Sequence, residues 1–202
     1  MKKISLIVIF ITSYSIAYCQ LDKGTWLAGG LGSFNTYKEN YTTPSFTLKN
    51  KYNEITLYPV VGFFLADKFA GGIRGGFSFL KEDNISSSGN VGGASTHSIQ
   101  FSGGPFVRYY FLNSNKVYNI LADACYQFGS NQYLGAAHEK GKLNTFSIMA
   151  GPEFFFNTAV GIEILIGYRQ KVNSIDNSMN GWNSNKTGFQ TTIGFQIHLQ
   201  TN

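Results

Sequence analysis

Charge is what this chain has least of. Only 13% of its 202 residues are Asp, Glu, Lys or Arg, about half of the ~25% usual in a soluble domain. Low charge with 43% hydrophobic residues excludes a solvating, disordered chain, which stays unfolded through high net charge and little apolar surface. The basic residues are scattered and the net charge is only +5, so no stripe for nucleic acid is present. Two cysteines, Cys19 and Cys125, cannot staple a small secreted scaffold. With four prolines the chain is neither collagen-like nor a proline-rich linker. Beyond the first twenty residues no apolar run is long enough for a spanning helix. What remains is rich in glycine (23) and in aromatics, with Phe 18, Tyr 12 and Trp 2. That composition points to β-structure in an unusual solvent.

The first residues read as an address. Met1-Lys2-Lys3 is a positive start, residues 4–11 are almost continuously apolar, and residues 13–20 turn polar. This is the layout of a cleaved secretory signal, whose apolar core is too short to span a bilayer of about 30 Å. Ala17 and Cys19 provide small residues before a cut that makes Gln20 the first mature residue. A lipoprotein signal would lipidate Cys19, but bulky Tyr18 stands where a small residue is needed. We therefore expect a signal peptide over 1–19 and one domain over 20–202. Taking nineteen residues from 202 leaves 183, with a net charge of +3 and a single cysteine, Cys125.

Alternation of apolar with small or polar residues recurs along the mature chain and predicts strands. In 55–65 one face is Ile55, Leu57, Pro59, Val61, Phe63 and Leu65. Phe69, Gly71, Ile73, Gly75, Phe77 and Phe79 oppose Ala70, Gly72, Arg74, Gly76 and Ser78. The pattern repeats over 99–111, 160–169 and 188–199. Each segment runs about 11 to 13 residues, longer than the usual ~5 to 6 and long enough for a tilted transmembrane strand. Connections alternate as well. Short ones fall at 66–68, 113–116 and 157–158, and long polar ones at 38–52, 81–95, 130–142 and 172–186.

Pro59, Pro105 and Pro152 recur 46 and 47 residues apart, each just before a short turn, and mark a repeated hairpin unit. Proline is unwelcome inside a paired strand, so these positions are expected to be bulges or kinks near one rim. Aromatics bunch beside the same turns: Phe63, Phe64, Phe69, Tyr109, Phe111, Tyr118, Phe154 and Phe156, with Tyr110 and Phe155 among them. Such a bunch at one axial level reads as an interfacial girdle.

Together these features predict an all-β fold: an eight-stranded antiparallel up-and-down transmembrane β-barrel with short periplasmic turns and long extracellular loops. Residues 23–30 (Lys-Gly-Thr-Trp-Leu-Ala-Gly-Gly), 58–72 and 104–111 resemble the first strand, second hairpin and fourth strand of small outer-membrane β-barrel proteins of Bacteroidetes-type Gram-negative bacteria. That resemblance implies an integral barrel of the outer membrane protein A/X architecture. It also implies contact with outer-membrane lipids and lipopolysaccharide, and insertion by the barrel-assembly machinery. Such barrels commonly end in an aromatic residue, whereas the last outward position here is Leu199.

On the inward face the pattern places Arg74, Arg108 and Arg169 against Asp123, Glu153 and Glu163. Balanced charges in a barrel narrow enough to be filled by side chains are expected to pair as a structural plug rather than line a gated ion path. Catalysis gains little support. His97 with Ser95 or Ser98 and Glu139 is the best nucleophilic triplet available, and a lipid-modifying enzyme is the corresponding alternative. His138 and His198 stand apart, and no metal or cofactor motif occurs. Glu82-Asp83 and Asp176 read as solvated rather than as calcium ligands. Tyr37, Tyr41, Tyr52, Tyr133 and Trp182 fall in the polar connections, where an unidentified extracellular ligand would be met. Narrow-pore and soluble, lipocalin-like readings also stay open.

Overall fold

The computed structural model describes residues 21–42, 47–86, 95–134, 140–175 and 182–200. The expected signal segment, His138, Glu139 and Asp176 lie outside them. Eight strands follow one another: β1 (Trp26–Thr42), β2 (Thr47–Ala66), β3 (Phe69–Ser86), β4 (Ser95–Tyr110), β5 (Tyr118–Leu134), β6 (Lys140–Phe155), β7 (Val160–Ile175) and β8 (Trp182–Leu199). Each pairs antiparallel with its neighbour in sequence, and β8 returns to β1 to close the barrel. Closure pairs the two edge strands of the sheet from Trp26↔Leu199 to Gly32↔Ile193.

The strands are 16 to 20 residues long, several residues more than expected. Much of each polar connection is strand, because backbone pairing continues after the outward face turns polar. β2, for example, is already paired at Thr47 and carries the expected loop residue Tyr52 on its inward face. Outward apolar positions occupy 26–34, 55–65, 69–79, 99–109, 118–128, 146–154, 160–168 and 189–199. These nine-to-eleven-residue stretches form one continuous band. Ile73 is 69% exposed and Phe77 42%, while Arg74 between them is 2% exposed.

One end of the barrel, here the turn end, is closed tightly. Asp67 and Lys68 join β2 to β3, with Lys68 in the left-handed region at φ 65°. The Asn119 side chain clamps the next turn, accepting from Leu112 N at 2.9 Å and donating to Leu112 O at 3.1 Å. Asn157 Oδ1 caps the third, accepting from the amides of Ala159 (2.8 Å) and Val160 (2.7 Å). These side chains satisfy backbone groups that the turns leave unpaired.

The prolines correct the sequence expectation. They sit on the outer face, Pro59 and Pro105 well inside β2 and β4 and Pro152 close to the turn end of β6, and no extra residue is inserted beside them. Each proline pairs on one side, as Gly30↔Pro59, Ile73↔Pro105 and Ile120↔Pro152. On the other side the ladder skips two positions and resumes in the same register. A missing N–H removes a bond without moving the register. The shift in β2–β3 pairing falls elsewhere, between Phe64 and Ala66.

Candidate functional site: a charged interior open at one end

Because strand side chains alternate, the residue next to an outward one faces the interior. Strict parity therefore decides the aromatics. Phe63, Phe69, Tyr109, Phe111, Tyr118, Phe154 and Phe156 occupy the outward face, where Trp26 packs edge-on against Phe63 at 5.3 Å and Tyr109 against Phe111 at 5.2 Å. Phe64 does not belong with them. It is fully buried in the interior, as are Tyr110 and Phe155, because each is one residue out of phase with an outward neighbour. With Leu21, Leu27 and Leu121 they form a plug that fills the turn end.

Above that plug lies a ladder of charges. Arg74 grips Asp123 with both guanidinium nitrogens, at 2.8 and 2.7 Å. Asp123 also accepts from Arg108 Nε at 3.1 Å. Arg108 continues to Glu163, with Nη1 at 2.8 Å from Oε2 and Nη2 donating to Oε1 at 3.2 Å. Glu163 accepts from Gln196 at 2.7 Å and stands directly across β6–β7 from Glu153. Glu153 accepts from the Tyr110 hydroxyl at 2.9 Å and lies 2.9 Å from His198 Nε2. Glycine makes room for this ladder, since a Cβ at Gly161 would run into the Glu153 carboxylate.

Arg169 is not part of the ladder. It belongs to a second cluster nearer the open end, donating to Glu54 at 3.0 Å and to the Tyr58 hydroxyl at 3.0 Å. Lys171 completes that cluster, donating to the other Glu54 oxygen at 2.7 Å. Glu54, Lys171 and His198 are thus interior members that the inward-face count omits. Parity would have found all three, since Glu54 follows the rhythm of 56 and 58, Lys171 that of 169, and His198 that of 196. With them, four positive side chains meet four carboxylates, and all eight are wholly or largely buried. The balance holds over the whole interior and not within each cluster, since the ladder has three carboxylates for two guanidinium groups and the upper cluster two cations for one carboxylate. Removing one member of such a set strands a buried charge, which is costly.

Among the described residues the interior narrows sharply between its two charged clusters. Between the ladder and the upper cluster the described cavities are only about 10 Å³ each, room for about one water. At the loop end the interior widens into a vestibule of about 690 Å³ whose floor is the Glu54–Arg169–Lys171 cluster.

Of the nucleophilic triplet, Glu139 lies outside the described residues, and the pairing of His97 with Ser98 is not formed. His97 is exposed on the outer face of β4 and Ser98 is buried on the inner face. Their side chains are separated by the sheet itself. Glu82 accepts from the Tyr52 hydroxyl at 2.9 Å and Asp83 pairs with Lys81 at 3.1 Å. Cys125 is buried in the interior as a free thiol.

No protein-family model matches the chain, and no curated protein matches it in sequence. In structure it is similar to the outer membrane protein OprG from Pseudomonas aeruginosa, with a TM-score of 0.52 and 10% identity over 92% of this chain and 100% of that one. Neisserial surface protein A (TM-score 0.46, 12% identity, 87% of this chain and 97% of that) and the N-terminal β-barrel domain of P. aeruginosa OprF (0.39, 9%, 88% and 98%) are similar at lower scores. At these identities the likeness is one of fold, and this chain has the closed antiparallel β-barrel architecture of a known outer-membrane protein.

Proposed function

We propose that this chain is an integral outer-membrane β-barrel with a side-chain-filled lumen, acting as a rigid structural scaffold that meets its surroundings through the loop end. One observation carries the reading: the barrel is inverted relative to a soluble carrier. Its outside is an apolar band nine to eleven residues tall, and its inside is charged and sealed at the turn end. A transmembrane β-strand needs about 9–11 residues, and a lipid-facing exterior with a polar interior is the pattern of spanning barrels. A lipocalin-like carrier would reverse both faces.

In this reading residues 1–19 direct export and are removed, the short turns face the periplasm, and the outward aromatics form girdles at both edges of the band. Phe63, Phe69, Tyr109, Phe111, Tyr118, Phe154 and Phe156 make the inner girdle. Phe34, Phe79, Phe128, Phe146, Tyr168 and Phe189 make the outer one. Outer-membrane lipids, lipopolysaccharide and the insertion machinery are the partners. The salt-bridge ladder is a structural plug, since the apolar seal at the turn end and the near-absence of cavities above it leave no ion path. No residue is assigned a catalytic role.

The test is fractionation followed by gel mobility. Outer-membrane extract in mild detergent, run unboiled and boiled, should show a faster unboiled band confined to that fraction. Recovery in the soluble periplasm without detergent would overturn the membrane reading. Sustained conductance steps of the folded protein in a planar bilayer would replace the plug by a pore.

A further inference from the structure

The barrel wall is incomplete on one side. β1 and β8 pair only from Trp26↔Leu199 to Gly32↔Ile193. Beyond that point β1 continues along β2 to Thr42↔Thr47, and β8 along β7 to Ile175↔Trp182. Residues 33–42 and 182–192 therefore keep a strand partner on one side only, among the described residues. The seam opens inside the outer edge of the apolar band, since Phe34 on β1 and Phe189 on β8 still point outward, 66% and 86% exposed. Backbone edges facing hydrocarbon are not tolerated unless a polar cavity or a ligand serves them.

The vestibule lies directly behind the seam, and Phe34 and Phe189 line it together with Arg169, Lys171 and Gly188. Its size falls within the ~300–1,000 Å³ of small-molecule sites. Two cations share the single carboxylate of Glu54 at its floor, which leaves one positive charge in excess there. Gly188 continues the inward rhythm of β8, and a Cβ there would meet nothing within 4 Å. The space is open where a side chain would otherwise fill it.

We propose that this vestibule binds one single-chain anionic amphiphile that enters through the β1–β8 seam. Its carboxylate or phosphate head sits against Lys171 and Arg169, and its acyl chain leaves between Phe34 and Phe189 into the outer leaflet. The proposal rests on the membrane-barrel reading and gives the loop end a ligand class. The head supplies the charge the floor lacks and hydrogen-bond acceptors for N–H groups of the seam's backbone edges. The tail stays in an apolar medium throughout, so nothing apolar has to enter the charged interior.

The experiment uses the mature protein folded in a neutral detergent, with stearate spin-labelled near the end of its chain as probe and its methyl ester as uncharged control. Electron spin resonance should show a saturable, immobilised component for the acid. The ester should bind about tenfold more weakly or worse, the scale expected for a lost charged hydrogen bond. Lys171→Gln should weaken binding of the acid by a similar factor. Gly188→Phe, which fills the doorway without a backbone clash, should abolish it. Displacement by lysophosphatidate would extend the site to phosphate heads, and displacement by unlabelled stearate alone would assign it to carboxylates. Equal binding of acid and ester, or undiminished binding by Gly188→Phe, would overturn the proposal. Each variant is first checked for the faster unboiled band. That band without saturable binding removes the vestibule ligand alone, whereas its loss from the wild-type membrane fraction removes the barrel reading itself.

Discussion

The interior ladder makes a quantitative prediction at Asp123. This carboxylate is buried and accepts three charged hydrogen bonds, two from Arg74 and one from Arg108. Asp123→Leu removes all of them at once. Arg108 keeps Glu163 as an ion partner at 2.8 Å, but Arg74 is left with no carboxylate, its guanidinium 5.0 Å above the Phe106 ring. Breaking a buried pair by deleting one partner costs about 3–5 kcal/mol, mostly from the stranded charge. Arg74→Met alone strands less, because Asp123 still holds Arg108, and should cost about 2–3 kcal/mol. The double variant Arg74→Met/Asp123→Leu removes one charge of each sign and fills similar volume with apolar atoms. It should cost only about 1–2 kcal/mol, a coupling of several kcal/mol relative to the sum of the single variants. The assay is urea unfolding of the protein folded in lipid vesicles, read by tryptophan fluorescence and by the unboiled gel band. With a slope of about 2 kcal/mol per molar, the Asp123→Leu midpoint should fall by roughly 2 M. A shift under about 0.5 M, or a double variant that equals the sum of its parts, would show that the ladder is hydrated and not an obligatory pairing.

Three further outcomes follow from the same geometry. Ile73 lies near the middle of the outward band, so Ile73→Arg should destabilise the folded barrel by about 2–4 kcal/mol. Ser130→Arg, just past the band on β5, should be nearly neutral in the same vesicle assay, and a large loss there would move the band's edge. At Gly167 an added Cβ would collide with Ile148 O of the neighbouring strand, so Gly167→Ala should abolish the unboiled band or shift its urea midpoint by 1 M or more. His97→Ala should leave both mobility and midpoint unchanged, because the exposed imidazole lies across the sheet from Ser98, and any lipid-hydrolase activity lost with it would revive a catalytic reading.

Much of the architecture was legible in the residues because a two-residue period leaves little freedom when one face must be apolar. Ile55 to Leu65 and Phe69 to Phe79 declare their outward faces outright, and the hairpin spacing of Pro59, Pro105 and Pro152 counts the strand pairs. β1 was not decided this way, since Trp26-Ala28-Gly30-Gly32 and Leu27-Gly29-Leu31-Ser33 are similarly apolar. Its facing is decided by the neighbours, as the pairing with β2 and β8 buries Leu27 and Leu31 and leaves Trp26 and Phe34 outside. Phe64 misled because clustering in sequence ignores phase, and Glu54 and Lys171 were missed because they stand near or in polar stretches that turn out to be strand.

By itself, then, the sequence determined that strands would form, how many there would be, and which face of most of them would be apolar, since those are properties of local alternation. Only the tertiary structure decided which carboxylate answers which guanidinium, where the interior is sealed, and that β1 and β8 part after Gly32 and Ile193. Those depend on register between strands as far apart in the chain as β1 and β8, and register is set jointly by all eight when the barrel closes.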